Sequence, residues 1–143
     1  MNFVQPIRDP EQIKQLKDYF KEKSLRNYIL FLMGINTGLR ISDILKLKVG
    51  DVKGSHISMR EKKTGKQKRI QITAALKREL KWFIEERGDN EYLLQSRQGS
   101  NRPIGRSMAY KILSIAAAEF GLDEIGTHTL RKTYGYHMYM QTK

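Results

Sequence analysis

The chain has 143 residues, enough for one domain with a real core and too few for two. Its 27 Lys and Arg exceed its 15 Asp and Glu, and the net charge of +12 favours an anionic partner, nucleic acid before a membrane surface. The absence of cysteine excludes disulfides, a thiol nucleophile and thiolate metal sites, and the longest apolar run, 28–33, is too short to cross a bilayer.

The amino-terminal part predicts two helices in succession. Asp9 is typical of a helix cap, and an apolar stripe with helical spacing predicts a helix over 10–23. Ser24 caps a second helix over 25–36, in which the 28–33 run is apolar nearly all round. We therefore expect the second helix to lie in the centre of the domain.

A sharp corner is predicted after the second helix. Gly38 can take the left-handed conformation that ends a helix, and a short helix with Ile44 and Leu45 facing inward begins at about Ser42. Arg40 would then lie at a tight turn between two buried elements.

Beyond the corner, the pattern changes from helical spacing to alternation. The segments 56–60 and 68–72 predict two strands of a hairpin, joined by a densely basic tip over 62–66. Tyr92 opens a further apolar stretch, 92–94, which is a candidate for a short third strand.

Helical spacing returns in the second half of the chain. We expect a helix over 74–87 with Gly88 as its stop, and an exposed loop over 95–105 rich in Ser, Gly, Asn and Pro. A further helix over 106–120 ends at Gly121.

The last segment contains a His-x-x-Arg pair. Thr127 predicts a helix start, and His128 and Arg131 would then lie one turn apart on the same face. A histidine exchanges protons near neutral pH and an arginine presents a fixed fork of donors, so the pair suits chemistry at a phosphodiester.

Three motifs carry a resemblance to a known family. They are Thr37-Gly38-Leu39-Arg40-Ile41-Ser42-Asp43-Ile44-Leu45, the hairpin Lys63-Thr64-Gly65, and His128-Thr129-Leu130-Arg131. In this order, and from about residue 9 to the end, the chain resembles the catalytic domain of the tyrosine recombinases, or phage-type integrases. The resemblance implies a mainly helical α+β fold, with helices packed around a small antiparallel β-hairpin or three-stranded sheet.

The resemblance also implies roles for individual residues. Arg40 and Arg131 would clamp the scissile phosphate, Lys63 would be the hairpin lysine, His128 the histidine of the pair, and Asp43 an acidic residue that helps position the site. Two guanidinium groups stabilise the charge that develops on non-bridging oxygens, and a partly buried lysine can protonate the leaving 5′-oxygen. This chemistry calls for no cofactor and no metal, and the three histidines show no metal-ligand spacing.

The remaining cations are expected to contact the DNA backbone rather than to take part in catalysis. They are Lys62, Lys66, Lys68, Arg69, Arg97, Arg102 and Arg106. Two structural alternatives stay open: any neighbour in the tip could replace Lys63, and Arg40 could be a corner arginine paired with Asp43.

The family's nucleophile is a tyrosine on a later helix, and we expect no counterpart before Lys143. Tyr134, Tyr136 and Tyr139 lie too close to Arg131 to match it and are expected to be packing or surface aromatics. We therefore expect residues 1–143 to be one catalytic domain, incomplete at its carboxyl end, without the family's amino-terminal core-binding domain. Such a chain would bind double-stranded DNA but not cleave it.

The full-length protein would cut and rejoin DNA through a 3′-phosphotyrosine intermediate, with other protomers in a tetrameric synapse. We expect a cytoplasmic location, in a bacterium or phage and on chromosomal DNA, with no membrane contact. Two alternatives are a type IB topoisomerase, recognised by relaxation of plasmid without sequence preference, and a basic binding module without chemistry. Guanidinium groups of Arg40 and Arg131 that lie far apart would favour the binding module.

Overall fold

A computed structural model describes residues 6–122 and 128–142. In these ranges the chain forms six α-helices, one short 3-10 helix and two antiparallel strands. The helices are α1 (Pro10–Lys23), α2 (Leu25–Thr37), α3 (Ile41–Leu45), α4 (Ala74–Phe83), α5 (Arg106–Glu119) and α6 (Thr129–Thr142), with the 3-10 helix at Val49–Val52 and the strands β1 (His56–Arg60) and β2 (Gln67–Gln71). Among the helices of this described part, none is long and apolar enough to span a membrane.

Helix α2 is the centre of the fold, as its all-round apolar sequence predicts. Its residues 28–34 are buried, and α1, α3, α4 and α6 all pack against it. Burying one large apolar side chain stabilises a fold by about 1.5–3 kcal/mol relative to leaving it exposed, so this run contributes much of the core energy. Both ends of α2 are thereby held in fixed positions.

Helix α6 approaches α2 closely because Gly34 has no side chain. A Cβ atom built on Gly34 would lie 2.4 Å from Cδ1 and 2.6 Å from Cβ of Leu130, which is inside the contact distance. The Leu130 side chain therefore occupies the space that any larger residue at 34 would need. On the same helix, the Thr133 hydroxyl accepts a hydrogen bond of 2.9 Å from the Ile7 backbone N–H.

The predicted hairpin is confirmed, with its second strand starting one residue earlier than expected. Ile57 pairs with Ile70 and Met59 pairs with Lys68 across the two strands. Ile57 and Met59 are buried, while β2 turns alternate residues to solvent. The hairpin is anchored through β1 and projects its basic tip outward.

A third strand is not formed within the described residues, and the sheet has two strands. Tyr92 instead makes an isolated antiparallel bridge with Lys48, just before the 3-10 helix. The apolar run after it is buried because it packs in the core, with Leu93 and Leu94 both fully covered. Its apolar character reflects burial rather than strand pairing.

Helix α4 ends at Phe83, four residues before the predicted end at Arg87. Glu86 adopts a left-handed backbone with φ 65°, and Arg87 donates to the carbonyls of Tyr92 at 2.7 Å and Leu93 at 3.2 Å. These hydrogen bonds to residues five and six positions further on outweigh the helix propensity of 84–87.

The two ends of the loop over 95–105 lie next to each other. Gln95 bridges to Pro103, and the Ser96 backbone N–H donates to the Arg102 carbonyl at 2.7 Å. Ile104 is buried and anchors the return, so α5 begins at Arg106, as predicted.

Candidate catalytic site

Arg40 lies at the predicted corner between α2 and α3. Gly38 ends α2 in the left-handed conformation, with φ 69°, and buried Thr37 accepts a hydrogen bond from the Leu39 N–H at 3.2 Å. Arg40 follows with extended backbone as the residue before α3. Since its neighbours are buried, the corner leaves the Arg40 side chain little freedom of direction.

The partner of Arg40 is Glu61, a residue that the sequence reasoning missed. Arg40 NH1 donates to Glu61 Oε2 at 2.6 Å, and this carboxylate is only 9% exposed. The alternative pairing of Arg40 with Asp43 is therefore wrong, because Asp43 makes other contacts. One sequence signal was available: Glu61 is the only acidic residue between His56 and Ile72.

Glu61 also organises the basic hairpin. The Thr64 hydroxyl donates to Glu61 Oε1 at 3.0 Å, and Lys68 Nζ lies 3.7 Å from Oε2. The Thr64 hydrogen bond lowers the pKa of Glu61, as do the charges of Lys68, Arg40 and Arg131, against the opposing effect of burial. Glu61 thus stays ionised among cations from three segments of the chain.

Asp43, on α3, also contacts the hairpin tip. Its side chain is fully buried, and Oδ1 accepts from the Lys62 backbone N–H at 3.0 Å and lies 3.4 Å from Lys46 Nζ. The second oxygen, Oδ2, is buried and makes no hydrogen bond to any other described residue. Asp43 therefore ties α3 to the tip, a placement compatible with its predicted supporting role.

His128 lies directly before α6, and its carbonyl accepts from the Lys132 N–H at 2.9 Å. Partial burial lowers the pKa of His128, and the charges of Arg131, Arg40, Lys63 and Lys132 lower it further. The predicted cap Thr127 lies outside the described residues.

These elements line a cavity of about 380 Å³ that is open to solvent and that we call the catalytic cavity. It is lined by Arg40, Ile41, Ser42, Lys62, Lys63, Arg106 and His128. No acidic side chain is among these described lining residues, since Glu61 and Asp43 support the cations from behind. The arrangement can hold an anion with several donors converging on it.

Arg131 lines an adjoining groove between the end of α2, strand β2 and α6. Its charge acts on both His128 and Glu61, so its guanidinium lies near the same carboxylate that binds Arg40. The two arginines, 91 positions apart in the sequence, thus approach one region of the structure. The catalytic roles of Arg40, Lys63, His128 and Arg131 stay predictions.

The other predicted DNA contacts are distributed unevenly. Lys62 and Arg106 line the catalytic cavity, whereas Lys68 and Arg69 line the groove that contains Arg131. The other three cations, Lys66, Arg97 and Arg102, are exposed and line neither the catalytic cavity nor this groove. Arg97 lines a separate cavity.

The tyrosines of α6 have contacts of their own. Tyr134 packs against Gly38, where an added Cβ would lie 2.5 Å from its Cδ2 atom. The Arg8 guanidinium lies 5.6 Å from the centre of the Tyr136 ring, and Tyr139 is 63% exposed. These positions agree with packing and surface roles. Within the described ranges, no group of three His, Cys, Asp or Glu residues is arranged to hold a metal ion.

Comparison with known proteins identifies relatives over the whole chain. The family model described as the phage integrase family matches residues 8–142. The "Probable integrase/recombinase YoeC" of Bacillus subtilis is 50% identical over 144 aligned residues, covering 100% of this chain and 79% of that protein. The tyrosine recombinase XerA of Pyrococcus furiosus is 27% identical, covering 90% of this chain and 46% of XerA.

Among solved structures, a lambda integrase tetramer bound to a Holliday junction superposes with a TM-score of 0.77. The sequence identity is 16%, and the match covers 99% of this chain and 43% of the integrase chain. This likeness establishes the fold. The chain spans less than half the length of XerA and of this integrase chain.

Proposed function

This chain belongs to the phage integrase family, and on that premise we propose that it is the DNA breaking-and-rejoining domain of a site-specific recombinase. The observation that carries the proposal is the catalytic cavity, in which Arg40, Lys63 and His128 meet and beside which Arg131 lies. The relative XerA is named a tyrosine recombinase, and the lambda integrase tetramer was solved on a Holliday junction. Double-stranded DNA is accordingly the proposed substrate.

Arg40 and Arg131 are the proposed phosphate clamp. Attack on a phosphodiester places extra negative charge on the non-bridging oxygens, and guanidinium groups stabilise it without titrating. Glu61 uses one nitrogen of Arg40 and leaves the other guanidinium donors for the phosphate. Glu61 is therefore a positioning residue in this proposal.

Lys63 is the proposed general acid. The phenolic oxygen of a tyrosine in the full-length protein attacks phosphorus and forms a 3′-phosphotyrosine bond as the bond from phosphorus to the 5′-oxygen breaks. The departing oxygen takes a proton from Lys63, and His128 accepts the tyrosine proton or holds the nucleophile by hydrogen bonding. Rejoining reverses these transfers.

The 143-residue chain is proposed to bind DNA without cleaving it. Tyr134 is packed on Gly38, and Tyr139 lies about 12 Å from Arg131 along α6, at 1.5 Å per residue. The full-length protein is proposed to act with other protomers in a tetramer, on chromosomal DNA in the cytoplasm.

The test measures binding and covalent chemistry separately. Fluorescence anisotropy with a labelled duplex should show tight, salt-dependent binding by the chain, weakened in Arg40→Gln and Arg131→Gln. The matched control is Lys14→Gln, which removes the same charge from an exposed position of α1. Equal effects of all three variants would contradict the proposed clamp.

Denaturing gels with a nicked duplex test the chemistry. The 143-residue chain is expected to give no covalent adduct, whereas the full-length protein forms one on its own recombination site. A covalent adduct formed by the short chain would refute the proposal for this segment. Plasmid relaxation by the full-length protein without sequence preference would favour a topoisomerase instead.

A further inference from the structure

A second cationic cavity lies at the opposite end of α2 from Arg40. It has a volume of about 280 Å³, and we call it the arginine cavity. Its polar lining consists of Ser24, Arg26, Arg87, Gln95, Ser96 and Arg97, with two apolar side chains at its wall. None of these described lining residues is acidic. From residue 26 to its last residue, Thr37, α2 extends about 16 Å, at 1.5 Å per residue.

Two arginines of this cavity retain unused donors. Arg26 donates through Nε to Asn27 Oδ1 at 3.1 Å and through NH1 to the Gln95 carbonyl at 3.2 Å, which uses two of its five N–H groups. Arg97 is exposed, and within 6–122 and 128–142 its side chain makes no hydrogen bond or ion pair. Both guanidinium groups can therefore donate to a ligand.

Two serine hydroxyl groups of this cavity can also donate hydrogen bonds to a ligand. Ser24 Oγ accepts from the Asn27 N–H at 3.3 Å, and Ser96 Oγ accepts from the Gln98 N–H at 3.1 Å. Because their acceptor role is used, and neither hydroxyl donates to another described residue, both can donate into the cavity.

Arg87 differs from Arg26 and Arg97 because its guanidinium group is already engaged in contacts within the fold. Its Nε donates to Glu91 at 3.2 Å, its other nitrogens hold two backbone carbonyls, and its guanidinium lies 5.2 Å from the centre of the Phe83 ring. Glu91 thus neutralises Arg87 and not its neighbours.

Arg26 and Arg97 consequently lack a carboxylate partner. Burial lowers the pKa of Arg26, and the charge of Arg97 lowers it further. Since arginine stays protonated, this crowding is relieved most directly by an anion that accepts from both.

We propose that the arginine cavity binds a second phosphate of the DNA backbone, separate from the phosphate in the catalytic cavity at the other end of α2. This inference rests on the proposed function. DNA is favoured over an acidic protein segment because the loop over 95–105 continues from Arg97 through exposed Arg102 to Arg106, which lines the catalytic cavity. Exposed arginines therefore continue along the chain from the arginine cavity to a residue of the catalytic cavity.

The test compares salt dependence of duplex binding in wild type, Arg97→Gln, and the double variant Arg26→Gln/Arg97→Gln. Because Arg26 would still neutralise the shared phosphate, Arg97→Gln should weaken binding with little change in the slope of log affinity against log salt. The double variant should make that slope less steep by about 0.9. Arg97→Gln changes an exposed side chain with no partner in the described part, so it should fold normally. Lys14→Gln, which removes one charge as Arg97→Gln does, is the matched control for the single variant and should leave both affinity and slope nearly unchanged.

A second measurement identifies the ligand. The Arg97 Nε–Hε resonance, assigned from the Arg97→Gln spectrum, should shift on addition of a 20-base-pair duplex and also at high inorganic phosphate. A shift caused by a glutamate-rich peptide but not by the duplex would overturn the inference in favour of an acidic protein partner.

The two proposals fail in different ways. An unchanged salt slope in the double variant, with Arg40→Gln still weakening DNA binding, would overturn the arginine cavity as a phosphate site and leave the proposed function intact. Absence of DNA binding by the wild-type chain would overturn both.

Discussion

The catalytic cavity and the arginine cavity both gather cations at an end of α2, yet different groups stand behind those cations. In the catalytic cavity, Glu61 and Asp43 are buried carboxylates that hold Arg40 and the hairpin tip in place. In the arginine cavity, Glu91 is committed to Arg87, and Arg26 relies on neutral acceptors. The difference indicates that buried carboxylates fix the positions of the cations at the catalytic cavity, whereas the cations of the arginine cavity are left to attract an anion.

The largest expected effect separates the two neighbouring lysines of the tip. In the proposed full-length recombinase, with Lys63 as the proposed general acid, Lys63→Ala should slow strand cleavage by roughly 10²- to 10⁴-fold. Lys62→Ala and Arg97→Gln should weaken DNA binding and leave the cleavage rate of bound DNA nearly unchanged. Single-turnover cleavage on a saturating substrate measures this difference, and equal rates for the two lysine variants would remove Lys63 from its proposed role.

The next effect concerns the packing that brings α6 to the catalytic cavity. Gly34→Ala would push a methyl group into Leu130, and overpacking of this kind costs about 1–3 kcal/mol. Its matched control is Gly135→Ala on α6, where an added Cβ meets nothing within 4 Å and helix propensity favours alanine by about 1 kcal/mol. Urea unfolding should show a loss for the first variant only, together with weaker DNA binding as His128 and Arg131 shift.

A smaller effect is expected when the carboxylates that pair with an arginine of each cavity, Glu61 and Glu91, are each replaced by glutamine. Glu61→Gln should lower the unfolding temperature more than Glu91→Gln, because the Glu61 side chain is 9% exposed and the Glu91 side chain is 38% exposed. Since the pKa of Glu61 is lowered in the fold, its contribution is present above the unfolded pKa of 4.5 and is lost as pH falls through the folded value. Thermal unfolding as a function of pH should therefore show a weaker acid dependence in Glu61→Gln, and an unchanged profile would contradict this.

The smallest expected effect is the pH dependence of His128. Its pKa is below 6.5 in the fold, so the native state binds its proton less readily, and stability should decrease as pH falls below about 6.5. A bound phosphate would stabilise the protonated imidazole and so raise the pKa of His128. Duplex binding should therefore tighten as the pH falls from 7.5 to 6. His128→Gln should flatten that trend in anisotropy measurements, whereas the control His56→Gln, on β1, should retain it.

Local patterns in the sequence predicted much of the framework. The all-round apolar run fixed α2 as the centre, Gly38 marked the corner, and alternation located the hairpin within one residue. These features depend on neighbours in sequence, which is why periodicity and turn chemistry identified them.

Contacts between distant segments could not be predicted in the same way. Arg40 and Glu61 are 21 positions apart, and nothing local distinguishes this pair from Arg40 with Asp43. Arg26 and Arg97 line one cavity because the chain after α4 brings the Gln95 carbonyl to Arg26 at the start of α2. Hydrogen bonds of Arg87 to that same part of the chain accompany the early end of α4. The fold's hydrogen bonds therefore determine the partner of Arg40, the lining of the arginine cavity and the end of α4.

Gly38 has a consequence for how this domain tolerates change. Its backbone torsion excludes most other amino acids, and the Tyr134 ring fills the space where a side chain would begin. Saturation mutagenesis should therefore find this site among the least permissive of the chain, because a single glycine meets two independent demands, one from the peptide geometry and one from the neighbouring aromatic ring.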